Sequence, residues 1–237
     1  YPYYRDGAFT TGLGMTAKDQ LLAFFAKADD PSSGGRQMPH HFGKRELNIV
    51  TQSSPTGTQF LQAVGCGMAC KLNKEKEVVY VSSGEGTTSQ GDFHEALNWA
   101  SREKLPVIFH IQDNEYAISV HISEQTSGGS VFSMVSGYQN LERFDVDGSD
   151  YFETHLAFKK AVDRARKGKG PAVIVSHVDR LKPHSSSDDH LKYRTKDEIE
   201  EMEKNDPILK FRDECISNKV IKKEEFEKIE IKLKDQV

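Results

Sequence analysis

One stretch limits the possible folds more than any other. Val78 to Val81 is a short apolar run with β-branched residues that ends in Ser-Ser-Gly, Asp92 to Lys104 has the composition of a helix, and Pro106 to Ile111 is a second apolar run. This order predicts a βαβ unit. Such units are right-handed with parallel strands in nearly every case, so the loops following the two strands leave the sheet at the same edge. Two chemically loaded loops would therefore meet: Gly84-Glu-Gly-Thr-Thr-Ser-Gln-Gly91 and, thirty residues after Gly84, Asn114-Glu-Tyr-Ala-Ile-Ser119.

If the two strands are neighbours, about 5 Å apart, Glu85 and Asn114 can reach one small ion. A hard cation such as Mg²⁺ takes about six oxygens and prefers one or two protein side chains together with substrate phosphates. Glu85, Asn114 and a nearby backbone carbonyl fit that requirement. A dinucleotide-binding turn is the competing reading, because Gly84-Glu-Gly-Thr-Thr-Ser follows a strand and opens a helix. It fits less well, since Ser89 replaces the third glycine and Glu85 would face a pyrophosphate with no cation between them. At roughly 4 Å two like charges repel by about 4 kcal/mol at intermediate dielectric, and a bridging divalent metal turns this into attraction. The plainest alternative is a glycine-rich turn with an exposed Glu85.

The 237 residues suffice for one large α/β domain or two small ones. With a net charge of -4 and no large basic patch, nucleic acid is not an expected partner. No apolar run approaches the roughly eighteen residues of a membrane span, and nothing at the start resembles a signal or transit peptide, so no membrane association is expected. The chain starts with Tyr1 and ends inside a charged helical pattern at Val237, which suggests part of a longer polypeptide or missing ends. Cys66, Cys70 and Cys215 form no disulfide framework, and a reducing compartment is expected. Cys66 and Cys70, one helical turn apart among small residues, read as packing residues, with a metal site as the alternative.

Along the chain, Thr16 to Ala26 reads as a helix capped by Thr16, with its Leu and Phe residues in the core. Asp29 to Phe42 is a long connection carrying His40 and His41. A helix from Gln59 to Asn73 follows Ser53-Ser-Pro-Thr-Gly-Thr58, whose hydroxyls either cap the helix or line a ligand or monovalent ion. Gly65 and Gly67 within it predict close packing against another backbone. Ser127-Gly-Gly-Ser130 reads as a flexible connection, Leu141 to Gly148 as a strand ending in a turn, Tyr151 to Lys167 as an amphipathic helix, and Gly170 to Ser176 as a buried strand. The alternation predicts an α/β fold, a mostly parallel sheet with helices on both faces. Asp179 to Arg194 is polar and hydroxyl-rich and reads as mobile. It leaves the carboxyl end of a strand, where open α/β sheets bind ligands, and carries His184 and Arg180. Residues 1–195 are read as a diphosphate- and Mg-binding domain, and 196–237 as a helical extension that packs on the domain or on a partner.

Gly84-Glu-Gly with Asn114-Glu-Tyr-Ala-Ile-Ser resembles the thiamine diphosphate motif. Tyr4-Arg-Asp, Gly35-Arg-Gln-Met-Pro, Ser53-Ser-Pro with Thr58-Gln59, and Arg180 with His184-Ser-Ser-Ser-Asp-Asp189 extend the likeness to about Arg194. Together they resemble the α subunit of the branched-chain 2-oxo acid dehydrogenase decarboxylating component. The resemblance implies a thiamine diphosphate-binding fold, with Glu85, Asn114 and the Tyr116 carbonyl holding Mg²⁺. It implies Arg5, Gln112 and Arg180 around the diphosphate, and Tyr4, Ser54, Thr56, Gly86, Thr87 and Ile118 along the cofactor. Ser53, Pro55, Thr58 and Gln59 match a monovalent cation site, expected for K⁺. His184 matches a loop histidine at the reactive carbon of the cofactor, His41 a second histidine in the channel, and Ser185 a position phosphorylated in mitochondrial relatives.

The implied reaction is oxidative decarboxylation of a 2-oxo acid and acylation of a lipoyl group on the acyltransferase core, with the cofactor as electron sink. The partners implied are a β subunit, or a fused β portion, that supplies the aminopyrimidine half of the site, and the lipoylated core. The compartment would be the cytoplasm in a bacterium or the mitochondrial matrix in a eukaryote. Two departures stand out: Gln112 takes the place of an arginine, and Glu115 that of a small residue. Competing expectations are pyruvate or acetoin as substrate, a noncatalytic interaction subunit, and a nucleotide-binding subunit.

Overall fold

The structure, a computed structural model, describes residues 1–235. Its strands are β1 (Val79–Gly84), β2 (Val107–Asp113), β3 (Tyr116–Ala117), β4 (Val120–His121), β5 (Glu142–Asp147) and β6 (Ala172–His177). Its helices are α1 (Gly7–Gly12), α2 (Ala17–Phe24), α3 (Thr58–Leu72), α4 (Gly91–Glu103), α5 (Ile122–Gln125), α6 (Val131–Met134), α7 (Tyr151–Arg166), α8 (Lys196–Lys204), α9 (Pro207–Ser217) and α10 (Lys223–Lys234). Four strands form a parallel sheet in the order β1-β2-β6-β5, and β3 pairs antiparallel with β4 in a separate hairpin. The expected βαβ unit is β1-α4-β2, with its strands directly adjacent.

Period-two alternation explains why helices cover both faces. Val107, Phe109 and Ile111 turn to α3 and α4, where Phe60, Phe93 and Leu97 are fully buried. Ile108 turns to the other face and meets Ile174, Val146 and the small residues Ala157 and Ala161 of α7. Each fully buried large side chain stabilises the fold by about 1.5–3 kcal/mol relative to exposure. Gly67 has the close packing its sequence predicts, since a Cβ there would stand 2.6 Å from Val107 Cγ2. Gly65 does not: nothing lies within 4 Å of its Cβ position.

Two expectations need correction. Thr16 caps α2 in a reciprocal capping box with Asp19, but the helix buries no residue, and Leu21, Phe24 and Phe25 are 38, 54 and 69% exposed. The satellite core beside it is built from Met15, Phe42 and Ile49, which leaves Leu21, Phe24 and Phe25 exposed within this chain. The Ser127 to Ser130 connection is also anchored. Ser130 caps α6, and Val131 and Val135 immediately after it are fully buried.

The C-terminal stretch is helical as expected, its last two residues lying outside the described ones. It touches the domain through buried Met202 and through Phe211, whose ring centroid is 4.6 Å from that of Tyr151. Among the described residues no helix is long and apolar enough to cross a membrane.

Candidate active site

Parallel register brings the two loops together. Gly84 pairs with Gln112, so the turn that begins at Glu85 lies beside Asp113 and Asn114. Glu85 is 1% exposed, which removes the reading of an exposed carboxylate on a plain turn. Its Oε2 accepts from the Asn114 backbone N–H and from Asn114 Nδ2, both at 3.3 Å. Asn114 Oδ1 is buried and has no hydrogen-bond partner among the described residues. Burial pushes the Glu85 carboxyl above its ordinary range, against the opposing pull of the backbone N–H groups of Glu85 and Asn114. Arg194 fixes the loop from behind, donating to the Asn114 carbonyl at 2.9 Å with its guanidinium over the Tyr116 ring.

Tyr4, Arg5, Thr56, Glu85, Gly86, Thr87, Asn114, Tyr116, Ile118 and His184, all anticipated from the sequence, line one cleft of about 280 Å³. Tyr3, Gly84 and Ala117 also line it and were missed. Ala117 stands against a glycine, since a Cβ on Gly86 would lie 2.6 Å from the Ala117 Cβ. The β3-β4 hairpin lies that close to the turn. Its connection holds Ile118 at φ +57°, left-handed backbone that a β-branched residue rarely adopts.

Arg180 is 7% exposed and fastens the hairpin to the following loop. It donates to the Ile118 carbonyl at 2.8 Å, to the Tyr116 carbonyl at 3.5 Å and to the Tyr193 hydroxyl at 2.6 Å. The Tyr193 hydroxyl in turn donates to Asp188, which also accepts the His184 backbone N–H at 2.8 Å. These two donors hold the Asp188 carboxyl below its ordinary range. The segment whose composition reads as mobile is thus tied to the sheet edge. His184 Nδ1 lies 3.1 Å from Arg5 NH2, and burial, then Arg5 and Arg180, lower its pKa against the pull of Asp188.

Four of the residues anticipated around the cofactor or its channel lie outside the lining. Gln112 spends its amide on the protein, donating to Asp6 at 2.6 Å and accepting from the Tyr3 hydroxyl at 2.9 Å. Arg180 sits behind the hairpin. His41 and Ser54 contact each other at 3.2 Å. Ser53, Pro55, Thr58 and Gln59 do come together: Ser53 and Thr58 hydroxyls are hydrogen-bonded, Thr58 donates to the Pro55 carbonyl at 3.1 Å, and Gln59 Oε1 accepts from Gly57 N–H at 3.1 Å. Ser185 is exposed, its hydroxyl 3.0 Å from that of Ser187. Among the described residues no three His, Cys, Asp or Glu converge as a metal cluster, so a cation at Glu85 would need neutral oxygens and ligand phosphates.

The chain matches the dehydrogenase E1 component over residues 1–237. It is 47% identical over 210 residues to the 2-oxoisovalerate dehydrogenase subunit alpha of Bacillus subtilis, covering 89% of this chain and 63% of that one. It is 38% identical over 214 residues to the mitochondrial 2-oxoisovalerate dehydrogenase subunit alpha of Caenorhabditis elegans, covering 90% of this chain and 49% of that one. The chain therefore spans between about half and two thirds of these relatives. Among solved structures, transketolase from Campylobacter jejuni matches over 53% of this chain and 20% of its own, at 24% identity and a TM-score of 0.47. The chain belongs to the dehydrogenase E1 component family.

Proposed function

We propose that this chain is the α part of a thiamine diphosphate-dependent 2-oxo acid dehydrogenase that decarboxylates branched-chain 2-oxo acids such as 2-oxoisovalerate and acylates a lipoyl group on an acyltransferase core. The observation that carries this reading is the buried Glu85-Asn114 pair, with Asn114 Oδ1 unpartnered at the edge of a cleft of about 280 Å³. An oxygen acceptor left without a donor inside a protein is costly, and a Mg²⁺ ion is a hard partner for it.

The residues fit the group. Glu85, Asn114 Oδ1 and the Tyr116 carbonyl would hold Mg²⁺ against the diphosphate. Arg5 has His184 as its one protein acceptor among the described residues, leaving N–H donors free for phosphate. Thr87 and the bare Gly86 backbone line the same end, while Tyr4 and Ile118 offer an apolar wall. Thiamine diphosphate supplies the electron sink for loss of carbon dioxide. Ser53, Pro55, Thr58 and Gln59 would take K⁺ through their oxygens, and His41 would border the channel through Ser54. Residues 1–195 would form the diphosphate-binding part, and 196–237 a helical extension that packs on the domain or on a partner.

Branched-chain substrates are favoured by the likeness to relatives named for 2-oxoisovalerate. A β subunit or fused β portion would supply the other half of the site. In the complex with β, Glu85→Ala is expected to lower 2-oxoisovalerate decarboxylation by more than about 100-fold, since losing second-shell metal support alone costs 10–100-fold. Unchanged activity would identify a noncatalytic subunit instead. Calorimetry of that complex with thiamine diphosphate and Mg²⁺ against NAD tests the cofactor, and rates with 2-oxoisovalerate against pyruvate test the substrate.

A further inference from the structure

His184 and Arg5 are 179 residues apart in the chain, yet Arg5 NH2 lies 3.1 Å from His184 Nδ1. A guanidinium only donates and stays protonated, so the ring nitrogen it meets has to be an acceptor. Nδ1 therefore carries no proton, and the one proton of a neutral imidazole sits on Nε2. Resting on the cofactor reading above, we propose that Arg5 locks His184 in its Nε2-protonated tautomer, so that the imidazole serves the cleft as a hydrogen-bond donor to the carboxylate or carbonyl oxygen of a 2-oxo acid.

Three further contacts make the lock rigid. The His184 backbone N–H is held by Asp188 at 2.8 Å, Asp188 is held by the Tyr193 hydroxyl at 2.6 Å, and the Tyr4 ring meets the imidazole edge-on at 6.3 Å between centroids. Arg5 is itself steadied by its own neighbour, with the guanidinium 4.8 Å from the Tyr4 ring centroid. The charged groups around the imidazole are Arg5 from the N-terminal segment and Arg180 and Asp188 from its own loop. Burial and the two arginines disfavour the imidazolium, and Asp188 favours it. Arg5 is thus a positioning residue for His184, which is the group that would touch substrate. Nε2 has no protein partner among the described residues, which leaves its N–H free for an oxygen in the cleft.

The test uses the full chain assembled with its β subunit. Nitrogen-15 NMR of labelled histidine should show His184 with an unprotonated Nδ1 and a protonated Nε2 in the wild type. Deuterium exchange at the imidazole C2–H, followed by mass spectrometry across pH, should give a midpoint that rises in Arg5→Met and rises less in Arg5→Lys. Glutamine places an amide donor near the position of Nε2 but moves no proton. His184→Gln should therefore keep turnover within about tenfold of wild type, the scale of one altered hydrogen bond, while His184→Ala falls further. A proton on Nδ1 in the wild type overturns the proposal, as does His184→Gln falling as far as His184→Ala. Calorimetry of the wild-type complex with thiamine diphosphate separates the two claims, because absent binding defeats the cofactor reading while the tautomer is read independently.

Discussion

Ile118 combines a β-branched side chain with φ +57° at the rim of the cleft, and Arg180 holds its carbonyl at 2.8 Å. Left-handed backbone at a non-glycine residue costs about 1–3 kcal/mol and persists where surrounding bonds over-determine it. Ile118→Gly should relieve that strain and leave stability equal or up to about 2 kcal/mol higher, while thiamine diphosphate binds more weakly for want of the apolar wall. Thermal unfolding and calorimetry on the same variant check both halves. His110 makes a separate, pH-dependent contribution. It bonds Tyr80 at 2.9 Å and Ser176 at 3.0 Å, and burial pushes its pKa down to about 4 from 6.5. Between those values the unfolded chain binds more protons than the folded one, so stability is complete above pH 6.5 and is lost as pH falls toward about 4. The loss is at most about 3 kcal/mol from this group, partly offset by Asp6 and Glu85, whose raised pKa values act in the opposite sense. Urea unfolding across that window should show a flatter curve for His110→Gln.

At the scale of elements, β1, α4, β2, α7 and β6 were legible because each carries its own periodicity, and a βαβ order leaves little choice of hand. Glu85 meeting Asn114 followed from that geometry alone. The exposure of α2 was not legible, since an apolar stripe states which face seeks cover and not whether this chain supplies it. The hairpin of Tyr116–Ala117 and Val120–His121 is too short for an alternation signal. Gln112 misled because its partners, Asp6 and Tyr3, lie more than a hundred residues earlier. Composition gave no sign of the anchors after Arg180, because a buried guanidinium binding two carbonyls leaves no mark on local polarity. Close approaches between elements give the sharpest prediction here. Gly86→Ala sets a methyl 2.6 Å from Ala117 Cβ and should push the hairpin outward, costing about 1–3 kcal/mol. Gly65→Ala, with open space at its Cβ, should leave stability unchanged or slightly raised, because alanine is the better helix former. Thermal unfolding of the two variants side by side tests the contrast.

For the molecule as a whole, the decisive feature is that apolar residues lining the cleft stay open to water. Tyr4 and Ile118 line it at 43 and 53% exposure. An apolar ligand surface facing water on one side gains only part of the burial energy available to it. Leu21 and Phe24 of α2, with Phe25 just after it, are likewise uncovered in this chain, and the proposed β partner would cover both regions and complete the aminopyrimidine side of the cleft. The chain alone should therefore bind thiamine diphosphate with Mg²⁺ at least about tenfold more weakly than the assembled complex, a difference of about 1.4 kcal/mol. It should also show no decarboxylation without its partner. Calorimetry and 2-oxoisovalerate turnover, with and without the β subunit, read the two quantities separately. Robust turnover by the isolated 237-residue chain would mean that its own residues complete the site without a partner.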